Sequence, residues 1–444
     1  MASYNSRSIR LPSDLFALAV HPTAPLITAA LCSGHVYTYT WPSTPEEKDE
    51  DEDDDVVTTP AASGDPFTIA WKTRRHKGSC RAAVYSSDGS VLYTDGIDGL
   101  IKAADSSTGR VISKSLLPSA SDAPTTLLPL SPVHLLAGTD DGNIHLYDLR
   151  TPSTLTSAGP AASWKHVHED YISSLLALPV TAASTTGFPR QFAATGDTSL
   201  SHLDVRKPGK VLARSEPQED EILCTAFVAN APSKNTGGSE KLLTGTAAGV
   251  VTTWNKGFWE DHQERIPLSR STGDSIDSVL ALGGDFEVVG AGWGTFFAAG
   301  SGDGKVRIVK MGGNKVVATM AHSVSADEAR RAANARVKRG DYDEGLEEGV
   351  SALGIDCEGR IVSGGGQVVK VWSPSEEQEA EAEGRKRRND EEDSDEASDS
   401  DAADSEDSDD EKEKKKRKKK KRKGGKGKAK SAGVRNVNSF SGLD

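Results

Sequence analysis

Ten consecutive side chains, Lys414, Lys415, Lys416, Arg417, Lys418, Lys419, Lys420, Lys421, Arg422 and Lys423, are positively charged. Such a polycation neutralises phosphates and releases their condensed counterions, giving salt-sensitive, sequence-independent contact with nucleic acid. No aromatic side chain is interleaved between Lys412 and Lys430, so stacking on bases and base readout are not expected there. The commoner role of such a run is a nuclear or nucleolar address read by an import receptor, with "GRKRR" (Gly384 to Arg388) as its upstream half. Localisation therefore ranks first and RNA contact second. The preceding block, Asp390 to Glu411, is low-complexity acid in which Ser398 and Ser408 each have an acidic residue three places on. That spacing suits an acid-directed kinase, and phosphate would deepen the charge. The acidic block is expected to fold back on the basic one and screen it until rRNA or an import receptor competes.

Other candidates for chemistry are weaker. His166 and His168 in "KHVHED" could both hold a metal, but no third ligand lies at a supporting spacing, and a histidine in a loop entering a repeat explains "HED" as well. "GSGDGK" (Gly300 to Lys305) mimics a phosphate loop. Val306 stands where Ser or Thr would be needed and Ala299 where a glycine would be, so it reads as a β-turn. There is no GxSxG elbow and no cysteine in a nucleophile signature. Catalysis, a bound metal and a cofactor are not expected. Cys32, Cys80, Cys224 and Cys357 lie far apart with no CxxC pair, which disfavours a zinc ribbon or a disulfide framework and fits a reducing compartment. No window approaches the 18 or so continuous apolar residues of a membrane span, and the N-terminus lacks an apolar signal core. A soluble intracellular protein is expected.

What must position these residues is a repeat. The chain has 444 residues and a net charge of -13, but its charge is segregated. Up to about Trp372 it is rich in Val, Leu, Ala, Gly, Ser and Thr, whereas beyond Ser373 aliphatic residues nearly vanish. Residues 1–373 should fold, and 374–444 should be disordered because they cannot bury enough apolar surface to offset chain entropy. Within the folded part an octapeptide recurs seven times: "SGHVYTYT", "DGLIKAAD", "DGNIHLYD", "DTSLSHLD", "AGVVTTWN", "DGKVRIVK" and "GQVVKVWS". Asp-Gly supplies a positive-φ turn, and alternating apolar and polar residues supply a strand with one buried face. Two further short strands precede each copy, so each unit reads as three strands and two turns. Copies lie roughly 45 to 65 residues apart, and no crossover helix alternates with them. Three insertions interrupt the pattern. Glu46 to Asp55 is an acidic loop. Ser325 to Gly349 has capping-box spacing at Ser325 and Glu328 and reads as a surface helix. Asn255 to Ile266, with Phe258 and Trp259, reads as a cap on the repeat's edge.

These units resemble WD repeats. "LYD" and "VWS" stand where Trp-Asp usually closes a repeat: Trp254 and Trp372 keep the tryptophan, Tyr147 substitutes for it, and Ala104 and Leu203 depart from it. The resemblance implies an all-β, seven-bladed propeller. Ser8 to Leu11 would close the ring by pairing outside the Val368 to Trp372 strand, which protects the sheet edges. Three features together, Leu15 to Trp41, the "GFWEDHQERI" segment and a Lys-rich tail after the seventh unit, resemble the WD repeat-containing protein 55 family, called Jip in fungi. That resemblance implies a nucleolar or nuclear, non-catalytic scaffold of ribosome production, in rRNA processing for the large subunit, with pre-ribosomal proteins and rRNA as partners. A second class competes with it. "LYDLR" and "LDVR" look like the WD-x-Arg box by which some WD-repeat proteins dock as substrate receptors on a cullin-4 ligase adaptor, with Arg150 and Arg206 as the docking residues. The plainer reading is a strand-end arginine bonding neighbouring loops.

Overall fold

In a computed structural model, residues 4–41, 67–119, 121–150, 159–180, 186–232, 239–269, 273–283, 286–288, 291–322 and 348–374 are described. The acidic loop 46–55, the expected disordered tail beyond Pro374 with its lysines, and all of the expected helix but Glu348 and Gly349 lie outside them; Pro374, expected in the tail, instead ends the last strand. The described residues form seven four-stranded antiparallel sheets and one two-residue hairpin, with no helix among them.

Each octapeptide supplies the third strand of a blade. These strands are His35–Thr40, Leu100–Asp105, Ile144–Asp148, Ser199–Asp204, Val250–Asn255, Lys305–Lys310 and Val368–Pro374. A residue with positive φ precedes every one: Gly34, Gly99, Gly142, Asp197, Gly249, Gly304 and Gly366. In the fourth and seventh blades the turn is shorter. Gly196 pairs with Ser199 and Gly365 with Val368, so the left-handed residue is the first of two loop residues, and in blade 4 an aspartate accepts that conformation. Second strands such as His134–Thr139 are buried at nearly every position, because they lie inside a sheet and between blades. Their residues are accordingly small or apolar without alternation.

Each unit has four strands, not three. The strands missing from the three-strand reading are the outer ones, Thr68–Arg74, Val111–Leu116, Ala162–Trp164, Val211–Arg214, Glu264–Pro267 and Lys315–Ala321. They are short or largely solvated, so no buried face imposes an alternation on them; Val111–Leu116 exposes both Ile112 and Leu116. The seventh outer strand is Tyr4–Arg10, antiparallel to Val368–Pro374 with Ser8 opposite Lys370 and Ile9 opposite Val369. Ring closure therefore occurs as expected, and the pairing extends from Arg10 back to Tyr4.

First strands contact the first strands of both neighbouring blades, and this inner ring closes from blade 7 back to blade 1. The core is divided to match. Seven buried clusters fall one into each gap between blades. In the closing gap Ile9, Leu11 and Leu15 meet Trp41, Val369 and Val371; between blades 3 and 4 Trp164 meets Phe192 at 5.5 Å between ring centroids. Each blade buries its faces only by having two neighbours, which is why a closed ring is the stable solution.

Candidate interaction face

Antiparallel connectivity sorts the loops onto two faces. Second-to-third turns and blade-entry loops share one face, and first-to-second and third-to-fourth loops share the other. Arg150 and Arg206 lie on the latter, just beyond the third strands of blades 3 and 4. Each is clamped by the aspartate two residues before it. Arg150 donates from Nε to Asp148 Oδ1 at 3.0 Å and from Nη2 to Oδ2 at 2.6 Å. Arg206 does the same to Asp204 at 2.9 and 2.5 Å. These hydrogen bonds push the Asp148 carboxyl down to about 2 and lower that of Asp204. The expected bond to a neighbouring loop is thus replaced by a bidentate pair within the same strand end, a geometry that guanidinium and carboxylate match well. Both arginine side chains keep more than half their surface exposed, but Asp204 is buried while Asp148 is partly solvated.

Strand pairing brings other cations beside Arg206. Gln191 pairs with Asp204, and the Val205 amide donates to the Arg190 carbonyl at 3.0 Å, so Arg190 and Arg206 become neighbours. The following loop is held from below by Trp164 of blade 3, whose Nε1 donates to the Lys207 carbonyl at 3.2 Å. Trp71 does the same for the corresponding loop of blade 2, reaching the Ser106 carbonyl at 2.8 Å. Lys207 and Lys210 are exposed on this anchored turn, and Phe188, 40% exposed, lies two residues before Arg190. The residue pattern alone did not single out these side chains.

No protein-family model matches the chain. It is similar to WD repeat-containing protein jip5 of Emericella nidulans, with 40% identity over 371 residues covering 82% of this chain and 83% of the relative. The jip5 proteins of Botryotinia fuckeliana and Phaeosphaeria nodorum show 42% and 41% identity over 84% and 83% of the chain and 82% and 81% of their own lengths. The chain belongs to the WD repeat-containing protein Jip5 family.

This Jip5-family propeller keeps a polar network in several blades, although few repeats carry the family tryptophan. Blade 7 is the most complete: His322 Nδ1 lies 2.8 Å from Ser363 Oγ, which also accepts from Trp372 Nε1 at 2.7 Å. In blade 2, His76 bridges Asp98 at 2.8 Å and Thr94 at 3.1 Å, with Ala104 in the tryptophan position. In blade 5, Trp254 Nε1 reaches the hydroxyls of Thr252 and Thr244. His168 belongs to the same set: it is buried in the loop entering blade 4, 3.0 Å from Ser199. His166 is exposed at a positive φ. The two histidines therefore have separate environments, and among the described residues no three His, Cys, Asp or Glu side chains gather as a metal site would need. "GSGDGK" is the turn into Lys305–Lys310, where Asp303 accepts from the Lys305 amide and pairs with Arg307. The "GFWEDHQERI" segment packs Trp259 on the His202 ring, 5.4 Å between centroids, and closes the gap between blades 4 and 5 while Phe258 stays 70% exposed. All four cysteines are free.

Proposed function

We propose that this Jip5-family protein is a non-catalytic nucleolar scaffold for rRNA processing and large-subunit assembly. The observation that carries the reading is family membership over most of the chain, joined to the family resemblance read from the residues. A closed propeller with a buried cluster in every gap supports a scaffold role, since such a ring offers two loop-built faces on a rigid body. The run from Lys414 to Lys423 supplies the nucleolar address read by an import receptor and adds phosphate contact with rRNA. Depleting the protein should accumulate large-subunit rRNA precursors, and the tagged protein should cosediment with pre-ribosomal particles. Normal precursor levels after depletion would overturn the reading. Deleting Lys412 to Lys430 and restoring import with an unrelated nuclear signal separates address from contact: recovery of processing means the run is only an address.

Docking on a cullin-4 ligase adaptor is the second reading, favoured by the matched, exposed strand-end arginines on adjacent blades. It requires adaptor capture that Arg150→Ala or Arg206→Ala abolishes.

A further inference from the structure

The two faces of blade 4 differ in charge. Its entry loop has Glu169 and Asp170, and its exit loop, Glu216 to Glu221, has four carboxylates. On the opposite face, the described residues Leu178 to Val180, Thr186 to Arg190 and Val205 to Lys210 include no acidic residue. That end carries Arg190, Arg206, Lys207 and Lys210 against one acid, Asp204, which is buried and already committed to Arg206. Arg206 therefore shapes the loop, while Arg190, Lys207 and Lys210 supply net charge. Among the described residues no other blade presents this balance on this face. Blade 3 offers Arg150 cancelled by Asp148.

The cations sit on a preorganised turn. Lys207 donates its amide to Asp204 O at 2.9 Å, Lys210 to Lys207 O at 3.2 Å, and Gly209 takes the left-handed conformation at φ 73°. With Trp164 holding the Lys207 carbonyl, little ordering entropy remains to be lost on binding. Phe188 places a half-exposed aromatic ring on the loop that leads into Arg190. Cations and a partly exposed ring on the same face suit a single nucleic acid strand, since phosphates take the charge and a base can stack on the ring. An acidic protein segment would use the charge and leave the ring idle.

We propose that Phe188, Arg190, Lys207 and Lys210 of blade 4 form a binding surface for single-stranded RNA, with the three cations on phosphates and Phe188 stacked on a base. The inference deepens the rRNA-processing reading and rests on it for the identity of the RNA.

The test uses the full chain with every Lys and Arg from Arg385 to Arg435 changed to glutamine, so that the propeller's contribution is read. Binding of fluorescein-labelled oligouridine is followed by anisotropy across a salt series. Lys207→Gln with Lys210→Gln should weaken binding about tenfold at physiological salt and flatten the log-log salt slope by about 1.4, since each single-strand phosphate contact contributes about 0.7. Phe188→Ala should weaken it about tenfold and Phe188→Trp should restore it. Lys315→Gln on blade 6 is the neutral control. Unchanged affinity and slope in the double lysine variant would overturn the proposal. So would a double variant that loses only a peptide of Asp390 to Glu411, which would make this an acidic-protein site. Ultraviolet crosslinking of the unsubstituted loops guards against a folding artefact: RNA must map to the peptide containing Phe188, and its absence there also overturns the proposal. Cosedimentation with pre-ribosomal particles is scored separately. Oligouridine loss without cosedimentation refutes the ribosomal role and keeps the surface, whereas cosedimentation with unaltered oligouridine binding refutes the surface and keeps the role.

Discussion

Mild acid should destabilise the propeller through its buried histidines, and His322 is the place to measure it. Its ring is fully buried. The Trp372 indole N–H donates to Ser363 Oγ, which in turn lies 2.8 Å from His322 Nδ1. Burial, partly offset by the Gly365 carbonyl, holds the group at about 4 against an ordinary value of 6.5. Between those limits the unfolded chain binds the proton and the folded one does not, so stability is intact above pH 6.5 and falls as pH drops towards 4. The slope is about 1.4 kcal/mol per pH unit, and the total over the window about 3.4 kcal/mol. His76 and His168 are also held at about 4, chiefly by burial, and add in the same direction. Asp95 opposes them: burial raises its carboxyl to about 7, so in this window the folded state binds the extra proton. Burial also lowers His21, His134, His145 and His202, which add to the loss, and raises Asp277 and Glu348, which oppose it, so the histidines outnumber the carboxyls and stability falls towards acid. Urea midpoints followed by tryptophan fluorescence from pH 6.5 to 4.5 should show that fall, and His322→Gln should reduce its slope by about 1.4 kcal/mol per unit while adding a pH-independent offset. If the variant and the parent run parallel, His322 takes its proton in the folded ring, and the buried neutral network is refuted.

Other expectations concern particular joints. Ile9→Ala should cost about 2–4 kcal/mol in urea melts, because the side chain fills the closing gap beside Val369 and Val371, and removing residues 1–11 should cost more by opening the edge of blade 7; a fully stable truncation would mean that the strand does not close the ring. Arg206→Ala should lower the melting temperature clearly more than Arg150→Ala, since only the former strands a buried carboxylate; equal effects would mean that Asp204 is hydrated. Gly99→Ala should cost about 1 kcal/mol for its positive φ, with open space around the new methyl, whereas Gly142→Ala should cost about 1–3 kcal/mol more because its methyl would meet the His168 carbonyl; matched losses would show that the entry loop of blade 4 yields.

Seven third strands were legible because each must do two local things, turn through a left-handed residue and hide one face, and both leave marks within eight residues. Tyr4–Arg10 was legible for a topological reason: an unpaired edge on the last blade demands a partner. The other outer strands were illegible because they are constrained mainly by backbone pairing, which any sequence can supply. Ala162–Trp164 is only three residues long, and its lasting signal is a single tryptophan whose indole reaches the next blade. The tetrad of an ideal WD repeat proved replaceable piece by piece: threonines serve Trp254, and Asp98 holds His76 in a blade with no tryptophan. A consensus reading underestimates such networks because it scores residue types, whereas different side chains can supply the same hydrogen bond.

The blade 4 surface was hidden for the opposite reason. Lys207 and Lys210 attract no notice beside ten continuous cations in the tail, and Arg190 is separated from Arg206 by a whole hairpin. Only the pairing of Gln191 with Asp204 joins them, and only the burial of Asp204 shows that its charge is spent inward rather than offered to solvent. "LDVR" read as a string suggests a docking arginine; read in the structure, the same arginine is fixed in place and its neighbours carry the free charge. A charge pattern along the chain therefore locates a polyelectrolyte tail at once, but it cannot find a surface built from two loops, because what defines that surface is which acids are already paired.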